Sequence, residues 1–185
     1  MKKIVKENIG LVVSVEPNLS IVVDNMIAEW GSVPYGQLSV VLVYLKFLYE
    51  VHQNHHWVCM GDPFYGDHLL FSKLYEGVLG EIDTVAEKAI GLSCTANVDL
   101  NLVSSQRHKL ICNYGMATTI PQTSDLARRS FVAELNFLKV IDHVLCCLRE
   151  CGLATNGVEN MLQDIADKHE GHCYLLKQRC SSSMI

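Results

Sequence analysis

Histidines and carboxylates that could bind a metal fall on either side of a short break in the sequence. His56 precedes the run "GDP" at 61–63, and His68 follows twelve residues after His56. Further on, Asp83 and Glu87 are four residues apart, so on a helix they lie one above the other and could share a cation. The alternative is that the histidines pack in a core and the carboxylates form a solvated helix face.

Helix geometry decides which of these residues can meet. A tight break between two helices lets His56, at the end of the first, approach His68, at the start of the second. His68 and Asp83 are fifteen residues apart on one helix, or roughly 22 Å at about 1.5 Å per residue, which no metal bond spans. Either these are two unrelated features, or the carboxylates come from a second copy of the chain whose equivalent helix lies antiparallel across a two-fold axis.

The elements that must position these residues are long helices. Four prolines and twelve glycines separate segments of helical period, which predicts an all-α chain. The predicted long helices are 37–60, 63–92, 124–151 and 158–178, with a short helix over 100–113 in the crossover and a further short one around 19–30 as an option. Four long helices with one long connection after the second match the ferritin-like variant of the four-helix bundle.

Length and composition describe an ordinary globular chain. At 185 residues it is one domain-sized unit, which we divide into an N-terminal extension (1–36), the bundle domain (37–178) and a flexible tail (179–185). No signal peptide is recognisable, and the strongest apolar stretch, "LSVVLVYLKFLY", contains Lys46 and is too short to cross a bilayer. We therefore expect a cytoplasmic protein without a membrane span. The eight cysteines form no CxxC pair and are predicted to be buried free thiols.

The motifs around the break resemble those of the Dps miniferritins, the DNA-binding proteins from starved cells. That family has His-Trp, a glycine, an aromatic residue, a second histidine, a tyrosine seven residues later, and Asp-x-x-Ala-Glu. This chain has His56-Trp57, Gly61, Phe64, His68, Tyr75 and the run "DTVAE" at 83–87 with the same spacings. The segment "MLQDIADKHEGHCYLLKQ" is also similar to the family's last helix, so the resemblance covers roughly 37–178.

The resemblance implies an iron protein that assembles into a hollow dodecamer. Its ferroxidase sites would lie at two-fold interfaces, where His56 and His68 of one subunit face Asp83 and Glu87 of the partner subunit. Imidazole and carboxylate suit Fe(II), and an incomplete ligand set leaves room for peroxide or oxygen. The implied function is oxidation of Fe(II) and storage of ferric mineral, which protects against oxidative damage. Trp57 would lie beside the iron.

One position departs from the family pattern. Four residues after the second histidine the family has Asp or Glu, whereas this chain has Ser72, whose neutral hydroxyl is a poorer iron ligand. Asp67 and Glu76 are the alternative sources of this carboxylate, but Asp67 points about 100° away from His68 and Glu76 is two turns beyond it. Expected neighbours of the metal are Trp57, His55, Ser72 and Glu76.

A second hypothesis follows from Ser72: a Dps-fold shell or nucleoid-associated protein with a degenerate metal site. We expect weak or absent DNA binding, because the net charge is −5 and the basic residues near the termini are few. They are Lys2, Lys3, Lys6, Lys177 and Arg179.

Three further features of the sequence bear on where a metal could bind. His52 and His55 continue the apolar stripe of the first long helix, which predicts core histidines with hydrogen-bond partners. The run "HEGHC" at 169–173 resembles a zincin motif, but its histidines are three residues apart instead of four. The larger ferritins use Glu-x-x-His pairs inside one bundle, and this sequence contains none, which favours the interface over an intrasubunit di-iron centre.

Overall fold

The computed structural model describes residues 19–114 and 123–181. Its helices are α1 (Leu19–Glu29), α2 (Gly36–Val58), α3 (Phe64–Leu92), α4 (Leu100–Tyr114), α5 (Thr123–Glu150) and α6 (Asn156–Ser181), with a 3₁₀ helix at Thr95–Val98. The described residues contain no strand, so the predicted all-α class is confirmed, and the helix boundaries agree with the prediction to within three residues. The predicted basic cluster of Lys2, Lys3 and Lys6 and the end of the tail, 182–185, lie outside the described residues.

α2 is the central helix of the bundle. It packs mainly against α3, and also against α4 and α5, while α5 packs against α6. Its residues from Leu38 to Leu45 are all buried, because neighbours cover nearly its whole circumference. This burial explains the long apolar run seen in the sequence. Among the helices described, none is both long and apolar enough to span a membrane.

The crossover and α1 are held to the bundle by buried polar contacts. The Trp30 indole Nε1 donates a hydrogen bond to the Ala96 carbonyl oxygen at 3.2 Å. The buried Asn97 amide donates to the Pro34 carbonyl at 2.9 Å and accepts from the Ser39 hydroxyl at 3.2 Å. Trp30 belongs to the same apolar core as the bundle, so the short helix around 19–30 is an integral part of the packing.

A tight connection brings the end of α2 beside the start of α3. Gly61 has a φ of +83°, a conformation that favours glycine because it has no Cβ. The Gly61 carbonyl accepts from the Phe64 amide at 3.0 Å, and the Cys59 amide donates to the His55 carbonyl at 3.0 Å. The two helices therefore reverse direction within five residues, 59–63.

The connection between α5 and α6 sets the register of the other helix pair. Gly152, with a φ of +69°, ends α5, and the Leu153 amide donates back to the Leu148 carbonyl at 2.8 Å. This is the Schellman arrangement of a helix C-terminus. The Thr155 hydroxyl then caps α6 by accepting from the Val158 amide at 3.3 Å.

The bundle interior contains two apolar clusters separated by buried polar side chains. The larger cluster includes Val51, Phe137 and Ile165, and the smaller one includes Phe71 and Phe131. We call the buried polar side chains between the two clusters the polar layer. They come from α2, α5 and α6, and Glu81 joins them from α3. Its members are His52, Glu81, Glu134, His169 and His172, all buried. The prediction of His52 as a buried, hydrogen-bonded core histidine is thus confirmed.

The cysteines are only partly as predicted. All eight are free thiols, as expected. Only Cys59 and Cys173 are buried, while the other six are half-buried or exposed, so the predicted burial is wrong for most of them. For the four of these that lie on α-helices, the reason is that the apolar stripe of the helix is narrower than the set of its apolar residues, and a small side chain such as a thiol is tolerated outside it.

Candidate metal centre

His56 and His68 meet across the α2–α3 connection. Their rings stack with centroids 3.7 Å apart and an interplanar angle of 23°. Each Nδ1 lies within hydrogen-bond distance of the other residue's backbone carbonyl, at 2.9 Å from His56 and 3.0 Å from His68. Because a carbonyl oxygen only accepts, both Nδ1 atoms must carry the proton. In the neutral rings both Nε2 lone pairs are therefore free, which is the arrangement of a metal-binding histidine held by a backbone carbonyl.

Aromatic side chains surround this histidine pair without covering it. Tyr75 contacts His56 edge-on at 5.4 Å between centroids, and Phe64 lies 5.1 Å from His68. Both histidines remain half-buried, so the pair lies at the surface of the chain. It is accessible to an ion or to another protein surface.

Asp83 and Glu87 do not reach the histidine pair within the chain. α3 is one unbroken helix from Phe64 to Leu92, so the roughly 22 Å between His68 and Asp83 is preserved. Both carboxylates are exposed. Within one chain the structure brings the two histidines together but keeps the two carboxylates apart from them.

An exposed face of α3 carries both the histidine and the carboxylates. Within an arc of about 120°, at about 100° per residue, this outer face includes apolar residues as well. It consists of Tyr65, His68, Leu69, Ser72, Glu76, Leu79, Gly80, Asp83, Glu87 and Ile90. Tyr65 is 74% exposed, Leu69 51% and Leu79 49%. A row of exposed apolar side chains is typical of a contact surface, and the sequence analysis did not assign these residues to it.

The hydroxyl group of Ser72 forms a hydrogen bond with a neighbouring carboxylate. The Ser72 hydroxyl donates a hydrogen bond to Glu76 Oε1 at 2.8 Å, so the Glu76 carboxylate lies beside Ser72 on the outer face. Asp67 is 1% exposed and forms an ion pair with Arg179, whose Nη2 lies 3.0 Å from Asp67 Oδ2. The expectation that Asp67 points away from His68 is confirmed.

The other two expected neighbours of the metal lie in different surroundings. Trp57 is 67% exposed at the end of α2. His55 faces the bundle interior, where its Nδ1 lies 2.7 Å from the Ser130 hydroxyl. Burial, reinforced by nearby His52 and Arg129, lowers the pKa of His55 to about 3, so it is neutral. The structure thus brings His55 to Ser130 and not to the His56–His68 pair.

Comparisons with known proteins agree with this architecture. No protein-family model matches the chain, and a search of curated proteins gives no significant match. Among solved structures the chain is similar to DpsC from Streptomyces coelicolor, with a TM-score of 0.65 and 20% identity over 90% of this chain and 87% of that chain. The chain has a Dps-like, ferritin-like fold. At this identity the likeness shows the fold alone.

In the described part of the chain, the Dps-like fold also brings together two groups that sequence reasoning missed. One is Asp24, His143 and Cys147 on the surface, and the other is Glu134, His169 and His172 in the polar layer. In each group the possible ligand atoms lie within 4.8 Å of one another. A sequence signal existed for the second group, because Glu134 lies four residues after Ser130 and three before Phe137, at core-facing positions of α5.

Proposed function

We propose that this chain is a Dps-like miniferritin that oxidises Fe(II) at sites shared between two copies and stores the ferric product in a hollow shell. The observation that supports this most directly is the His56–His68 pair. Reciprocal hydrogen bonds to backbone carbonyls leave the Nε2 atoms of both rings free at the surface. Such a pair supplies half of a ligand set, and its complement must come from elsewhere.

A second copy of the chain supplies the complement. If two α3 helices pack antiparallel with the two-fold axis near residue 76, His68 lies opposite Asp83 and Glu87 of the partner subunit. The same contact covers the exposed apolar residues of the outer face, such as Leu69 and Leu79. Gly80, which has no heavy atom within 4 Å of its Cβ position, lets the two helices approach closely. We propose a two-fold dimer as the unit from which a dodecameric shell is built.

The chemistry follows from the donor atoms of this shared site. Two neutral imidazoles and two carboxylates suit Fe(II), the substrate, and leave coordination positions open for an oxidant. Two Fe(II) ions each give one electron to hydrogen peroxide, which takes up two protons and leaves as two water molecules. Oxygen is the alternative oxidant. Because the reaction removes Fe(II) and peroxide together, we propose a protective role in the cytoplasm, with Trp57 as an oxidisable neighbour of the site.

Ser72 supports a second candidate function. Its hydroxyl stands where a carboxylate would strengthen the site, and it is engaged with Glu76. On this alternative the chain is a Dps-fold shell or a nucleoid-associated protein with a degenerate centre. The net charge of −5 argues for weak or absent DNA binding, which gel retardation at low and physiological salt measures.

Iron oxidation tests the first function directly. The protein is loaded with Fe(II) under anaerobic conditions and then given peroxide, and formation of ferric product is followed by absorbance. We expect His56→Ala and Asp83→Ala to lose most of the initial rate, while the exposed controls His108→Ala on α4 and Asp142→Ala on α5 keep it. Wild-type protein that oxidises iron no faster than buffer, or a rate that none of the variants changes, contradicts the proposal.

A mixing experiment tests whether the site is shared between chains. One variant lacks the histidines (His56→Ala with His68→Ala), and the other lacks the carboxylates (Asp83→Ala with Glu87→Ala). Each alone is inactive, but a mixed two-fold dimer contains one intact site, so random mixing restores about one quarter of the wild-type sites. Recovery of activity on co-expression supports a shared site. Complete absence of recovery in mixtures that contain mixed dimers contradicts it.

A further inference from the structure

The polar layer converges on one carboxylate inside a single chain. Glu134 is fully buried, and three histidines point a ring nitrogen at its two oxygens. His52 Nε2 lies 2.7 Å and His172 Nδ1 lies 3.2 Å from Oε1, while His169 Nδ1 contacts Oε2. These side chains come from α2, α5 and α6, so the arrangement depends on the packed bundle. The possible ligand atoms of Glu134, His169 and His172 lie within 4.8 Å of one another, and imidazole and carboxylate are ligands that bind transition metals.

A second carboxylate orients one of these histidines from behind. Glu81 Oε2, on α3, lies 2.9 Å from His169 Nε2, the ring nitrogen that faces away from Glu134. Carboxylates commonly hold metal-binding histidines in this way, because the hydrogen bond fixes both the ring orientation and the tautomer. Glu81 is itself 4% exposed and is flanked by Lys168, whose Nζ lies 3.8 Å from its other oxygen.

The two carboxylates of the layer have different partners. Burial opposes a charge on His169, but Glu134 and Glu81 outweigh that effect and raise its pKa to about 9. The ammonium group of Lys168 lies 3.8 Å from Glu81, whereas Glu134 is contacted by the imidazoles of His52, His169 and His172. A buried carboxylate is stable only when it is paired or binds a metal, so the oxygens of Glu134 suit a cation.

The histidines have the freedom that ligation requires. His52 Nδ1 lies 3.1 Å from the Ser130 hydroxyl, which can either donate or accept a hydrogen bond. His52 can therefore keep its proton on Nδ1 and free Nε2. The ring of His172 has space because Gly77 opposite it lacks a side chain, and a Cβ there would lie 3.4 Å from His172 Nε2.

We propose that Glu134, with His52, His169 and His172, forms a mononuclear intrasubunit site for a divalent first-row transition metal. Glu81 acts as a positioning residue for His169. Metal bonds of about 2.1 Å require donor atoms roughly 3 to 4 Å apart. The Glu134, His169 and His172 donors already lie within 4.8 Å of one another, so small side-chain rotations bring these three to a metal. His52, whose Nε2 lies 2.7 Å from Glu134 Oε1, is the fourth ligand of the proposed site. The site is independent of the shared site at the α2–α3 connection.

Cobalt binding tests this site in the full chain. Chelator-stripped protein is titrated with Co²⁺, whose visible absorption distinguishes tetrahedral from octahedral coordination, and bound metal is measured after equilibrium dialysis. The background is the His56→Ala with His68→Ala variant, which lacks the histidine pair at the α2–α3 connection. We expect it to bind one Co²⁺ per chain with a tetrahedral spectrum. Into this background His172→Gln, Glu81→Gln and the exposed control His108→Gln are introduced.

The variants separate a metal site from a hydrogen-bonded network without metal. Glu81→Gln weakens Co²⁺ binding about 10- to 100-fold, His172→Gln weakens it by at least as much, and His108→Gln leaves it unchanged. Circular dichroism in chelator checks that each variant is folded, and Glu81→Gln remains informative if His172→Gln is not. Failure of the background variant to bind Co²⁺, or equal affinity in Glu81→Gln and His108→Gln, overturns the proposal. Neither result depends on iron oxidation, so the two sites fail separately.

Discussion

Two histidine clusters begin one helical turn apart on α2 and differ in what holds them. At the surface, His56 is bound to a backbone carbonyl, as is its neighbour His68. In the polar layer, His52 is bound to the buried carboxylate of Glu134, which also holds His169. The backbone carbonyl orients an imidazole without adding charge, so the surface pair needs carboxylates from another chain. The polar layer contains its carboxylates already, so it is complete within one chain.

The comparison predicts opposite sensitivities. The surface pair should tolerate substitution without loss of stability but should depend on assembly. The polar layer should be independent of assembly, but removal of one member leaves buried partners without compensation. Four changes test this difference, in order of decreasing expected effect.

The largest effect is expected for Glu134→Ala. It leaves three buried histidines, among them His169, without their shared acceptor, so we expect the free energy of unfolding to fall by about 3 to 5 kcal/mol. Urea unfolding in the presence of chelator measures this. The exposed control Glu170→Ala on α6 should change it by less than about 0.5 kcal/mol. If Glu134→Ala costs no more than its control, the polar layer is not the charged, coupled cluster described above.

The next largest effect is expected for Asp67→Ala. Asp67, beside His68, ties the first turn of α3 to Arg179 on α6. Asp67→Ala removes the carboxylate from a buried charged hydrogen bond, and we expect a loss of about 1.5 to 3 kcal/mol in the same unfolding measurement. The exposed Asp142→Ala is the matched control. A loss as small as that of the control would mean that the start of α3 is held by its apolar contacts alone.

The third effect separates the two clusters by assembly. Leu79→Glu adds a charge near the centre of the outer face of α3, close to Glu76, so we expect dimerisation to weaken by roughly 10-fold or more. Sedimentation measures the dimer, and iron oxidation should fall with it. Co²⁺ binding by the polar layer should be unchanged. The control is Leu100→Glu on α4, where the leucine is 75% exposed. Loss of both activities together, or of neither, would remove the distinction between the clusters.

The smallest effect is expected for Ser72→Asp. It restores a carboxylate one turn after His68, and we expect the affinity for Fe(II) to rise by roughly several-fold, because carboxylate is a better iron ligand than a hydroxyl. The control Ser105→Asp lies exposed on α4. Anaerobic Fe(II) titration measures both variants. An unchanged affinity would indicate that Glu76, held by the Ser72 hydroxyl, already fills this role.

Much of the surface pair was predictable because its determinants are local. The approach of His56 and His68 follows from a short break between two periodic segments. The direction of Asp67, away from His68, follows from the angle of about 100° between consecutive helical residues. The hydrogen bonds to the backbone carbonyls were not predictable. They depend on how far the chain turns at Gly61, which the sequence indicates only as a break.

The polar layer was not predicted because its members come from four helices. Glu134 and His169 are 35 residues apart, and Glu81 is a further 53 residues before Glu134. A helical period shows which residues share a face, but not which faces of separate helices meet at the same height. The interpretation that the absence of Glu-x-x-His pairs favours the interface overlooked donors that converge in space without a linear motif.

The sequence by itself determined the helices, their boundaries and the pairing of two histidines across one short connection, because these depend on interactions between near neighbours in the chain. Only the tertiary structure decided that Glu134 collects three histidines in a layer between two apolar clusters. It also decided that Leu69 and Leu79 remain exposed beside His68. These outcomes depend on the rotation and height of each helix in the bundle, which are set by the packing of the whole core.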